Sequence, residues 1–184
     1  MDLNEWMNNQ LFSREDEHAY AVLDGASIPD LLDRLYGDDR PEFECLYRGE
    51  LPPDMAEVAP YLVELTPDSA FAGWVIEKGW GQHWGIFAVA PADLRLLRQH
   101  FRRLNVVYGP EHKPLIFRYY DPRVLRGFAP TCDATQLAEF FGPIRCFILE
   151  NDDPGHALRL SRAEGKLRQE TTPVDLGVRS AQGA

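Results

Sequence analysis

The chain has 184 residues, 45% hydrophobic and 11% aromatic, and carries a formal net charge of -10. That length fits one domain with at most a short tail, and the apolar content supports a buried core and excludes global disorder. The acidic balance excludes a nucleic-acid binder that works by neutralising phosphates, because such a surface needs clustered Lys and Arg.

The first seventeen residues predict a short amphipathic helix, since Leu3, Trp6, Met7 and Leu11 recur at helical spacing behind Asp2. Tyr20 to Leu23 reads as a buried strand. Asp24-Gly25 ends it, and Ser27 is placed to cap a helix with Pro29 in its first turn and Gly37 at its stop. Phe43 to Tyr47 and Pro60 to Leu65 read as strands, with a brief helix or turn opened by Pro52-Pro53 between them. Asp68 or Ser69 caps a helix burying Phe71, Trp74 and Val75, and Gly79 and Gly81 break the chain before a strand from Trp84 to Val89. The next helix starts at Pro91 and turns Leu94, Leu97, Phe101 and Leu104 inward, leaving Arg95, Arg98, Arg102 and Arg103 on the other faces.

Val106 to Tyr108 and Leu115 to Tyr120 flank Gly109-Pro110 and predict an antiparallel hairpin. Asp121-Pro122 supplies an N-cap and a first-turn proline for a short helix, and Asp133 to Phe141 reads as another, closed by Gly142-Pro143. Ile144 to Leu149 is a strand, and Leu158, Leu160 and Leu167 mark a weak hairpin before a tail without periodicity from Thr171. The expected organisation is an N-terminal helix (1–17), an α/β core (18–150), a short hairpin extension (151–170) and a flexible tail (171–184). The expected class is α/β or α+β, a mixed sheet containing an antiparallel hairpin with helices packed on it.

Charge is spread unevenly: residues 1–90 hold 18 acids and 5 bases, whereas residues 91–184 hold 11 acids and 14 bases. Such lopsidedness is suited to steering two partners to two surfaces. Cys45, Cys132 and Cys146 form no C-x-x-C pair, so neither a disulfide scaffold nor a thiolate zinc site is expected. His18, His83, His100, His112 and His156 lack ligand spacing, and no metal or cofactor is expected. Met1 to Gln10 is acidic and amphipathic, unlike a secretory signal, and no apolar run approaches the ~20 residues a membrane helix requires. The cytoplasm is the expected location, with no nucleic-acid or membrane partner.

Two constellations carry candidate chemistry. Gly79 to Gly85 is glycine-rich but precedes a strand instead of opening a helix, so it is not a phosphate cradle; its functional reading exposes Trp80 or Trp84 as an aromatic anchor for a partner. Phe117-Arg118-Tyr119-Tyr120-Asp121-Pro122-Arg123-Val124 is the densest polar run. An enzyme reading casts His100 and Asp121 as base and orienter with Arg118 as an anion clamp; a structural reading makes Asp121 a helix cap and Arg118 a fork of donors. No elbow or other nucleophile motif accompanies them.

Leu46-Tyr47-Arg48-Gly49, Ala59 to Val63, Trp84-Gly85-Ile86-Phe87, His100 to Leu104, Phe117 to Leu125 and Phe141 to Ile144, in this order, resemble the bacterial type VI secretion effector adaptors that carry the domain of unknown function 4123. Arg118 to Leu125 is the most specific piece, and the resemblance spans roughly residues 18–150. It implies an adaptor chaperone, not an enzyme, that holds a secreted effector protein and helps load it on a trimeric spike protein. Longer members carry an additional C-terminal helical lobe. On this reading Trp80, Trp84, Arg95, Arg98 and Arg102 are the expected partner-binding residues, and His100, Arg118, Tyr120, Asp121, Pro122 and Arg123 form a structural motif. The alternatives are an immunity protein whose acidic half mimics an anionic substrate, and an enzyme with a site at His100, Arg118 and Asp121.

Overall fold

Alternation of apolar residues fixes the centre of the molecule. In β1 (His18–Asp24), Ala19, Ala21 and Leu23 point to one face of a sheet while Tyr20 and Val22 point to the other, and all five are buried. β4 (Gly85–Ala90) and β7 (Cys146–Glu150) repeat the pattern, with Phe87, Val89, Cys146 and Ile148 on the first face and Ile86, Ala88, Phe147 and Leu149 on the second. A strand buried on both sides needs a helical layer on each, and the chain supplies both.

The computed structural model describes residues 1–108 and 111–177. Seven strands form one sheet in the order β2-β3-β1-β4-β7-β8-β9, where β2 is Phe43–Cys45, β3 is Pro60–Leu65, β8 is His156–Ala163 and β9 is Lys166–Pro173. The first face is covered by α1 (Leu3–Leu11), α2 (Leu31–Leu35) and α4 (Ala70–Gly79), and the second by α5 (Leu94–Leu104), α6 (Pro122–Phe128) and α7 (Ala134–Phe141). A short α3 (Pro53–Glu57) leads into β3, and a separate ribbon of two strands, β5 (Val106–Tyr108) and β6 (Pro114–Ile116), follows α5.

The α+β class expected from the sequence holds. Every pairing in the sheet is antiparallel, whereas a sheet of mixed direction was expected. Helices between strands suggest parallel crossovers, but here each connection returns the chain beside a strand of opposite direction.

Local chemistry explains most helix starts. Asp93, Asp121 and Asp133 accept from the backbone N–H of Leu96, Arg123 and Gln136 at the heads of α5, α6 and α7, and Gln136 completes a capping box. Ser69, not Asp68, caps α4. α5 starts at Leu94, three residues beyond the Pro91 expected from the sequence. The helix expected from Ser27 does not form there: Gly25–Ser27 is a single 3-10 turn capped by Asp24, and α2 begins only at Leu31.

Two expectations for the C-terminal part change. The hairpin expected as an extension over residues 151–170 is β8 and β9, the continuation of the main sheet beyond β7. The tail expected to be flexible from Thr171 continues β9 to Pro173, buries Val174 and pairs Asp175 with Asp2, where Leu3 N–H donates to Asp175 O at 3.0 Å. β9 escapes a periodicity search because its side chains are mostly exposed and polar, and the backbone ladder with β8 supplies its order. The rest of that tail, residues 178–184, and the Gly109-Pro110 turn lie outside the described residues.

Candidate protein-docking surface

The motif Arg118 to Arg126 is a set of fasteners at one end of the sheet. β1 ends in Asp24, which is 2% exposed and accepts from Ala26 N–H, from Ser27 Oγ at 2.7 Å and from the Arg118 guanidinium. Tyr119 and Tyr120 are buried, and Tyr119 stacks on Phe101 of α5 with ring centroids 5.6 Å apart. Burial works against the Asp121 carboxylate, but two Arg123 nitrogens at 2.8 and 3.0 Å and the Arg123 N–H prevail and hold its pKa below the usual value. Pro122 is buried in the first turn of α6, and Arg126 closes the set by donating to Glu150 O at 2.7 Å and to Asp152 at 2.5 Å.

His100 stands apart from this cluster. Its Nε2 bonds Phe140 O at 2.9 Å, and a carbonyl only accepts, so Nε2 carries the proton and the ring ties α5 to the end of α7. His100, Arg118 and Asp121 therefore each have a different partner and make no hydrogen bond to one another, so the trio that an enzyme reading needs is not assembled. Burial lowers the His100 pKa, with the Arg103 charge adding to the effect and the bond to Phe140 opposing it. A group whose folded pKa lies below its unfolded value of 6.5 contributes stability above that pH and loses it on acidification. Urea unfolding at pH 7.5 and 5.5 is therefore expected to show a steeper loss for the wild type than for His100→Gln. Asp121 shifts in the same direction but acts in the carboxylate range, below that window.

The glycine-rich loop is likewise occupied by its own protein. Glu150, 3% exposed at the end of β7, accepts from Gly81 N–H, from His83 N–H at 3.2 Å and from His83 Nδ1. A carboxylate already fills the place an anion would take. Trp80, expected as an exposed anchor, is 2% exposed and donates its indole N–H to Pro154 O at 2.8 Å. The loop folds down on the sheet end, so the large apolar ring of Trp80 joins the core. Trp84 is partly buried against Trp74, centroids 4.9 Å apart, and lines a shallow recess with Arg34 and Lys78.

The basic face expected on α5 divides into different roles. Arg95 is exposed. Arg98 pairs with Glu44 at 2.8 Å, and Arg102 donates to Cys45 O and Tyr47 O at 2.8 and 2.9 Å, so both side chains fasten β2 and the segment after it. Arg102→Met keeps the apolar stem but strips those carbonyls, which is expected to cost about 2 kcal/mol in urea unfolding, against about ±0.5 for Arg95→Glu. Arg102 is accordingly a brace as well as a wall of the neighbouring groove.

Beside that brace lies a groove of about 620 Å³. Its floor and walls come from Leu46, Tyr47, Arg48 and Leu51 after β2, Met55 of α3, Arg102, Arg103 and Asn105 at the end of α5, and Val106, Tyr108 and Ile116 of the β5–β6 ribbon. In the ribbon, Val106 opposes Ile116 and Val107 opposes Leu115, so Val106, Tyr108 and Ile116 share the face toward the groove while Val107 and Leu115 occupy the back. Both faces are apolar and open: Tyr108 is 71% and Ile116 69% exposed, and Leu115 is 52% exposed. A two-stranded ribbon is marginal by itself in water, and a contiguous exposed apolar patch marks an interaction surface.

The sequence predicts both strands of the ribbon but carries the second on to Tyr120. The strand stops at Ile116, because Tyr119 and Tyr120 turn into the core under α5. Nothing in Val106 to Tyr108 or Pro114 to Ile116 distinguishes an exposed ribbon from a buried one, since continuous apolar runs fit both.

Among the described residues, no group of three or more His, Cys, Asp or Glu side chains is arranged to hold a metal ion, and no helix is long and apolar enough to cross a membrane. The three cysteines are free thiols, and burial raises the pKa of each. A family model described as a domain of unknown function, DUF4123, matches residues 19–139. No curated protein and no solved structure matches the chain.

Proposed function

For a chain that belongs to the DUF4123 family, we propose the role of a non-enzymatic adaptor that binds a type VI secretion effector in the bacterial cytoplasm and helps load it onto the trimeric spike protein. The observation that carries this reading is the open apolar ribbon with its groove, a surface that the rest of the described chain leaves uncovered. A second line of support is the fate of the polar motif. Arg118, Asp121, Arg123 and Arg126 are engaged with Asp24, with one another and with the end of β7, and His100 is spent on joining two helices. The family-specific residues thus build a rigid sheet end and leave a different surface for a client.

The adaptor role is tested by co-expressing the chain with candidate effectors and the spike protein of its source bacterium. Recovery of a defined complex containing the effector is expected on purification through the adaptor. Recovery of neither protein, with the adaptor itself folded, overturns the assignment.

A further inference from the structure

The groove carries information about the kind of segment that fills it. Its lining holds Arg48, Arg102 and Arg103 and no Asp or Glu, in a chain whose net charge is -10. None of the three guanidinium groups pairs with a carboxylate among the described residues. A local excess of cations on an acidic protein is complementary to carboxylates on a partner and steers their approach. Between the cations lie Leu51, Met55, Val106, Tyr108 and Ile116, which offer apolar contact.

The wall facing the groove is the side-chain face of the ribbon, not its backbone edge. An extended segment lying there would be desolvated with few partners for its N–H and C=O groups, whereas a helix satisfies its own backbone and presents only side chains. A further observation marks the floor. Asn105 is 7% exposed, its Nδ2 donates to Leu46 O at 2.9 Å, and its Oδ1 has no donor among the described residues. That oxygen lies beneath the floor and not in the groove, so the bond to Leu46 O fixes the floor while the apolar wall above it stays uncovered.

Resting on the adaptor reading, we propose that this groove receives an amphipathic helix of the carried effector, with large apolar side chains laid against Met55, Tyr108 and Ile116 and carboxylates directed at Arg48 and Arg103. The geometry places the anchors at helical spacing along one stripe of the client, with acidic residues flanking it.

The test uses the purified full-length adaptor and its co-expressed effector. Affinity is measured for the wild type, for the double variant Tyr108→Ala/Ile116→Ala, for Arg48→Glu and Arg103→Glu, and for Arg162→Glu as an exposed control on β8 outside the groove. Circular dichroism and urea midpoints verify that each variant is folded. The double truncation is expected to weaken binding at least thirtyfold. Each charge reversal is expected to weaken it about tenfold, with a smaller effect at high salt. Arg162→Glu is expected to stay within about twofold of the wild type. Hydrogen exchange on the complex is expected to protect one continuous segment of the effector, helical in period, rich in Leu, Met or Phe and flanked by Asp or Glu.

A complex that forms with all groove variants at wild-type affinity overturns the groove and leaves the adaptor role standing. So does a protected segment that is basic or extended, or a loss of spike binding with effector binding intact. Sedimentation of the free adaptor as a dimer that Tyr108→Ala/Ile116→Ala disperses assigns the surface to a second copy and also overturns the inference. Failure to recover either partner with the wild-type adaptor overturns both readings together.

Discussion

Replacing Glu150 by alanine is expected to remove about 4 kcal/mol of stability, a large part of the total for a domain of this size. The side chain is 3% exposed and serves Gly81 N–H, His83 N–H and His83 Nδ1 at once. Truncation leaves those donors facing an apolar hole, and each unsatisfied buried donor costs about 1–3 kcal/mol. Glu150→Gln retains one acceptor oxygen but turns an NH2 group toward the same donors, so its expected cost is about half as large. Urea unfolding followed by tryptophan fluorescence reads both, because Trp80 and Trp84 sit on the loop that the carboxylate holds. An alanine variant within 1 kcal/mol of the wild type would mean that the loop is held by the packing of its tryptophans, with the carboxylate incidental.

The same loop shows where sequence reasoning runs out. Gly79 to Gly85 reads correctly as a turn before a strand, but the acceptor that organises it is Glu150, about 70 residues away, and no local pattern announces that pairing. Helix starts were legible because a cap is a contact within three residues: Asp121 with Arg123 and Asp133 with Gln136 are written side by side in the chain. The central strands were legible for a similar reason, as short continuous apolar runs such as Tyr20 to Leu23 and Ile144 to Leu149. Sheet direction was not, because it depends on which strand the chain returns to after each helix. β9 was not, because its edge position lets polar residues occupy it. The docking groove was least legible of all. Its walls come from residues 46–55, 102–108 and 116, brought together by the Arg102 and Asn105 bonds to the segment after β2. Exposed arginines and tryptophans attract attention in a sequence, yet here Trp80 is core and Arg98 and Arg102 are braces, while the open apolar side chains lie in a run that looks like an ordinary strand pair.

The position of α5, and with it the groove at the helix's end, depends on a contact that can be tested without a client. Gly142 closes α7 with φ +49°, and a Cβ there would stand 2.4 Å from His100 Cε1 and 2.6 Å from Nδ1. Alanine at 142 therefore meets two penalties: a backbone at φ +49° and ψ −118°, which a residue with a Cβ adopts at a cost of about 1–3 kcal/mol, and overpacking of about 1–3 kcal/mol against a ring that Phe140 O holds in place. The single variant is expected to lose about 3–4 kcal/mol. His100→Ala is expected to lose about 2–3 kcal/mol, from the cavity and from the carbonyl left without its donor. If the ring is what the new methyl collides with, removing the ring removes the collision. The double variant is then expected to be more stable than the sum of the single losses predicts, by at least about 1 kcal/mol, because it keeps the His100→Ala loss and, of the Gly142→Ala penalty, only the backbone strain. A double-mutant cycle from urea midpoints measures that coupling directly. Additive losses would place the strain of Gly142→Ala in the backbone alone, and would remove His100 as the residue that sets the spacing between α5 and α7.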